Sequence, residues 1–189
     1  MKLILKLLAV ACILFYSTNC FAQKESKKWA IGIFPEYGFP LKEAKQSYHY
    51  DAGMTLRVSI HLGPGFVTVS AGGIAFVPPL SIADTANSVY TKLKAGVQIP
   101  FKAGYKLIIV HHIFIMGEAG YSSFYNYYLD DNSQVQHTQS GGFTYAGTVG
   151  FQLSGFEVGC KYESFQLPES NVSNKVSISN IGIRLGFNF

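Results

Sequence analysis

The chain has 189 residues, 15 Lys and Arg against 11 Asp and Glu, and only 14% charged residues. Two of the basic residues, Lys2 and Lys6, belong to an apolar leader, so the formal charge of +4 overstates the basicity of the rest and argues for no nucleic-acid partner. Cys12 and Cys20 also lie in the leader; Cys160 is then alone, which excludes a small secreted domain stapled by internal disulfides.

The leader starts Met1-Lys2-Leu3-Ile4-Leu5-Lys6, runs apolar from Leu7 to Tyr16, turns polar at Ser17-Thr18-Asn19 and reaches Cys20-Phe21-Ala22-Gln23. A basic start, a short apolar core and small residues at the −3 and −1 positions describe a secretory signal peptide, residues 1–22, cleaved after Ala22. Lipid attachment at Cys20 is the alternative, and Asn19 is a poor predecessor for it. Residues 23–189 are ordinarily one domain. They offer no run of roughly 18 apolar residues for a membrane helix; Leu107 to Met116 is broken by His111 and His112.

What the remainder shows instead is alternation. Trp29 to Tyr37 puts Trp29, Ile31, Ile33 and Tyr37 opposite Ala30, Gly32 and Glu36, with a bulge or early end expected at Pro35. A polar connection, 39–49, follows. From Tyr50 to Leu62, Ala52, Met54, Leu56, Val58, Ile60 and Leu62 alternate with Asp51, Gly53, Thr55, Arg57, Ser59 and His61. Gly63-Pro64-Gly65 is a tight turn. Phe66 to Val77 changes apolar parity at Gly72-Gly73, where a bulge would restore the register. After the loop 78–87, Ser88 to Ala103 carries lysines at Lys92, Lys94 and Lys102 on one face, which cannot meet lipid and mark an interior. Gly104 to His111 reads as a connection. Ile113 to Tyr128 ends in Tyr121, Phe124, Tyr125, Tyr127 and Tyr128, a candidate interfacial girdle. After the loop 129–141 come strands at Gly142 to Leu153 and Phe156 to Phe165, joined by Ser154-Gly155. The loop 166–175 leads to the last strand, Val176 to Phe189. There Ile181, Ile183, Leu185, Phe187 and Phe189 oppose Asn180, Gly182, Arg184, Gly186 and Asn188.

Eight amphipathic strands with alternating long and short connections predict an all-β fold, an eight-stranded antiparallel up-and-down transmembrane β-barrel in the cell outer membrane. Three stretches carry a family resemblance. Val97-Gln-Ile-Pro-Phe-Lys-Ala-Gly-Tyr105, Phe156-Glu-Val-Gly-Cys-Lys-Tyr162 and the C-terminal strand ending in Phe189 resemble the small outer-membrane β-barrel (porin family) proteins common in Bacteroidota. That family more often has an acidic residue where Gln98 stands and an arginine where Lys161 stands. The resemblance implies that Leu185, Phe187 and Phe189 form a membrane assembly signal read by the barrel insertion machinery. It implies no catalytic residues and no cofactor.

The chemistry available lies on the polar faces. Arg57, Lys92, Lys94, Lys102, Lys161 and Arg184 are expected inside the barrel with Asp51, Glu118, Glu157 and Glu163, where unpaired charges would be costly. In a barrel of about eight strands such side chains fill the lumen. The expected function is a non-enzymatic, structural or interaction role, with outer-membrane lipid around the barrel and an extracellular or periplasmic protein partner met through the loops. The alternatives are a narrow channel or a barrel binding a small or apolar ligand, and a lipid-modifying enzyme using Ser59 and His61. A soluble lipocalin-type barrel is the class-level rival, and there the lysine faces would turn to water. The scattered histidines His49, His61, His111, His112 and His137 suggest no metal site. Asp130-Asp131-Asn132 reads as a turn, and Cys160 as a small lipid-facing hydrophobe.

Overall fold

Each alternating stretch is a strand, and the strands close on themselves. The structure, a computed structural model, describes residues 28–41, 44–78, 95–110, 112–129, 135–167 and 176–189. The leader, Lys92, Lys94, His111 and Asp130-Asp131-Asn132 lie outside the described residues. The elements are β1 (Trp29–Leu41), α1 (Ala44–Ser47), β2 (Tyr50–Leu62), β3 (Gly65–Val77), β4 (Ala95–Val110), β5 (Ile113–Leu129), β6 (Val135–Leu153), β7 (Phe156–Leu167) and β8 (Val176–Asn188). All neighbours are antiparallel and β8 pairs with β1, so the barrel is closed in sequence order.

The register sets the barrel's shape. Stepping across paired residues from Ile31 leads through Val58, Val69, Ala103, Ala119, Tyr145, Ser164 and Ser179 to Leu41. The circuit returns to β1 ten residues beyond its start, a stagger that requires the strands to tilt strongly. Closure leaves no sheet edge around the wall, the condition a strand must meet to stand in lipid.

Polarity is inverted relative to a water-soluble protein. Val149 is 54% exposed and Ile183 58%, while Arg57 and Arg184 are 1% exposed. Aromatic rings band both ends of the outer face. Tyr37, Phe39 and Tyr50 cluster near the long connections, and Phe156 meets Phe187 at 5.3 Å near the short turns.

Several elements differ from the sequence expectation. Pro35 causes neither a bulge nor an end. β1 keeps one register to β8 on both sides of it, with Ile33 facing Phe187 and Glu36 facing Arg184, and continues to Leu41. Gly72-Gly73 hold no bulge either; the pairing with β2 is continuous through Thr55 and Met54. The change of parity is real, and it turns Ile74 and Phe76 inward. Gly104 to Val110 is strand rather than connection, so the β4–β5 link at 111–112 is short. β6 starts at Val135 instead of Gly142, β7 reaches Leu167, and a helical turn interrupts the connection after β1.

At the short-turn end, among the described residues, Gly63 (φ 62°) and Ser154 (φ 53°) adopt the left-handed conformation. A side chain in that region costs about 1–2 kcal/mol, which Gly63 avoids and Ser154 does not. Gly63→Ala should lower stability by about that amount. Ser154→Gly should raise it by less than about 1 kcal/mol, because glycine costs more chain entropy. Urea unfolding in lipid vesicles should move the two midpoints in opposite directions.

Candidate functional site: a filled, ion-paired lumen

Inward positions of the strands stack into three layers. The middle one is ionic and ties almost the whole wall together. Glu163 on β7 accepts from Lys102 of β4 at 2.7 Å, from its neighbour Lys161 at 2.9 Å, and through its other oxygen from Gln98 of β4 at 2.9 Å. Lys161 also donates to Glu36 of β1. Arg184 of β8 bridges two acids, Nε to Glu36 at 2.7 Å and Nη1 to Glu118 of β5 at 3.1 Å. Ser70 of β3 completes Glu118 at 2.8 Å. Among the described residues this network holds three cations and three carboxylates, all buried. Neutrality matters because a charge left unmatched there carries its full desolvation cost.

The layer nearest the short turns is cationic on balance. Arg57 of β2 and Lys106 of β4 share one oxygen of Glu157, at 2.6 and 2.8 Å. Aromatic faces take up part of the excess charge. The Arg57 guanidinium lies 3.8 Å from the Phe34 ring centroid, and the Lys106 ammonium 4.8 Å from that of Phe114. Phe34 can lie across the lumen because Gly186 stands opposite; a Cβ there would come within 2.1 Å of the ring.

The layer nearest the long connections is apolar. Ile74, Phe76, Phe124, Phe165 and Ile178 face inward from β3, β5, β7 and β8; α1 adds Ala44, and the residue just after it, Tyr48, completes the layer. Tyr48 packs 5.4 Å from Phe76 and 6.3 Å from Phe124, and its hydroxyl donates to Asn126 Oδ1 at 2.7 Å. Burial pushes the Tyr48 phenol up to about 12.

Of the residues singled out in the sequence, Arg57, Lys102, Glu118, Glu157, Lys161, Glu163 and Arg184 are buried inside and ion-paired. Asp51 is inside too, near the apolar layer, and forms no ion pair among the described residues. Glu36 and Lys106 belong to these networks and were missed. Glu36 lay on the polar face of a short predicted strand, and Lys106 inside a predicted connection. Continuing the Lys102 parity past Gly104 would have found it. Phe124 is in the lumen and not in an outer girdle. Ser59 is buried and its Oγ has no hydrogen-bond partner, so no serine–histidine pair is assembled with His61. Cys160 is exposed on the outer face. Among the described residues no three His, Cys, Asp or Glu side chains gather to hold a metal ion.

A closed, eight-stranded barrel with an apolar exterior and a packed polar interior is the architecture of the small outer-membrane barrels. Solved structures share it. Neisserial surface protein A aligns over 88% of this chain and 100% of its own, with 11% identity and a TM-score of 0.56. Ail, the attachment invasion locus protein of Yersinia pestis, aligns over 86% and 99%, with 12% identity and a TM-score of 0.57. The N-terminal barrel domain of Pseudomonas aeruginosa OprF aligns over 85% and 97%, with 12% identity and a TM-score of 0.56. At such identities the likeness is one of fold. No protein-family model and no curated protein matches the chain.

Two outcomes follow from the lumen. Glu163→Gln strands Lys102 and should cost about 3–5 kcal/mol in urea unfolding, whereas the apolar double variant Glu163→Met with Lys102→Met should recover much of it. The second concerns Tyr48. Its proton is held more tightly in the fold than at the ordinary value of 10.0, so its docking is undiminished below pH 10 and weakens as pH rises through about 12. Subtracting the tyrosinate absorbance of Tyr48→Phe from that of the wild type should isolate this late titration.

Proposed function

We propose that the chain is an integral outer-membrane barrel with a sealed lumen, serving a structural or interaction role through the end that carries its long connections. The observation behind this reading is the inversion of polarity. Lipid is the solvent that suits the outer face, and a neutral ion-paired network fills the space through which a solute would pass. Ail, among the proteins of similar fold, is named for attachment, and a contact role at the cell surface fits the same design here. The long connections emerge on the extracellular side, and the two termini on the periplasmic side. Residues 1–22 are the exported leader and 23–189 the barrel domain.

Leu185, Phe187 and Phe189 face outward at the end of β8, and the Phe189 amide donates to the Ile31 carbonyl at 2.8 Å, sealing the β8–β1 seam. We assign these three residues to the signal read by the barrel insertion machinery.

Fractionation provides the test. The protein should sediment with the outer membrane and change gel mobility on heating; a heat-insensitive band in the soluble periplasmic fraction would overturn the membrane reading. In planar bilayers the wild type should give no steady ion-selective steps. Deleting Phe189 should reduce the heat-modifiable form more than deletion within any one loop does.

A further inference from the structure

The apolar layer differs from the two beneath it in how it is built. Ile74, Phe76, Phe124, Phe165 and Ile178 stand on strands whose ladders fix them independently of one another. Tyr48 is, among the described residues, the one ring of this layer delivered by a connection. It is carried there by a single helical turn whose Lys45, Gln46 and Ser47 are exposed, so that only Ala44 and Tyr48 of this segment are buried. The ring occupies a place that the strands shape around it. Phe76 and Phe124 flank it, and Gly96 makes room for its hydroxyl, since a Cβ there would lie 3.0 Å from Tyr48 Oη. The hydroxyl meets the amide oxygen of Asn126 on the far wall.

Beneath the ring the site is polar and already organised. Gln98 Nε2 donates to Ser122 at 2.9 Å and to Glu163 at 2.9 Å, and Asp51 keeps one buried carboxylate oxygen without a partner. Apolar walls with a few convergent polar groups are the usual form of a small-molecule site. The closed barrel keeps those walls apart whether Tyr48 is present or not, because the ionic layer and eight paired ladders set the diameter.

We propose that this layer is a ligand cup entered from the end with the long connections, that Tyr48 is its built-in occupant, and that its external ligand is a flat aromatic ring bearing one hydrogen-bond donor. Such a ligand reproduces what Tyr48 supplies: two aromatic contacts and a hydroxyl for Asn126. It competes with Tyr48, so its apparent affinity is lowered by the fraction of molecules in which α1 is docked. The cup lies above the ionic layer, so binding there needs no passage through the barrel and is compatible with a lumen that does not conduct.

p-Cresol, the tyrosine side chain as a free molecule, is the probe, and calorimetry on the protein in lipid nanodiscs, with empty nanodiscs subtracted, is the measurement. Tyr48→Ala should bind p-cresol at least tenfold more tightly than the wild type. Ala44→Asp leaves the strand-borne walls and Asn126 intact but places a charge where α1 docks, and it should fall between the two. Heat-modifiable mobility identifies the variants that have folded. Equal binding by all three folded proteins, no binding by folded Tyr48→Ala, or an Ala44→Asp affinity no higher than that of the wild type would each overturn the proposal. If Tyr48→Ala does not fold, Tyr48→Leu, which keeps apolar bulk but supplies no hydroxyl, takes its place with the same expected order.

Discussion

The buried ionic layer is the constraint on which the rest depends. Eight strands staggered by ten residues enclose a space that side chains can just fill. Because lipid claims the apolar faces, the filling must come from the polar ones. Charges placed there are removed from bulk water, so an unpaired one is costly and most meet an opposite charge inside the lumen. Glu163 does so with Lys102 and Lys161, and Arg184 with Glu36 and Glu118. Apart from the Lys161–Glu163 contact within β7 these pairs join different strands, and together they tie β1, β4, β5, β7 and β8 to one centre. The same interactions that hold the wall also deny passage through it.

The glycines of the wall follow from that crowding. Large rings cross a narrow lumen only where the facing residue has no side chain, and Phe34 over Gly186 and Phe114 beside Gly150 both show it. Phe34 in turn offers Arg57 an aromatic face, so one backbone vacancy supports a buried charge two strands away. The graded lumen has the same origin. Two cations on one carboxylate are tolerable near Phe34 and Phe114. The opposite end carries apolar rings and a single helical turn, with no charge pair among its described residues.

Much of this was legible in the chain. The alternation from Tyr50 to Leu62 and from Ile181 to Phe189 gives strands, their faces and their number, because side chains on a strand must point to opposite sides. Lys102 and Arg184 identify the inner face, since a charge does not sit in lipid. The errors came where polarity was used to name a face. Ile74, Phe76 and Phe124 are apolar yet point inward, and a reading that sends apolar residues to lipid had to invent a bulge for the first two and a girdle for the third. Glu36 stood on the polar face of the first predicted strand without being carried into the interior network, and Lys106 was overlooked because Gly104 to His111 read as a connection where the ladder continues.

The sequence by itself determined the class of fold, through period-two alternation spread over eight segments with no helical span. It also set the sign of each wall, because charge and lipid exclude one another. The tertiary structure alone decided which acid meets which base, since partners such as Arg184 and Glu36 are brought together by closure of β8 on β1 across the length of the chain. It alone decided that one end of the lumen is apolar and that Tyr48 fills it. Local alternation says which way a side chain points, but only the closed register says what it will find there.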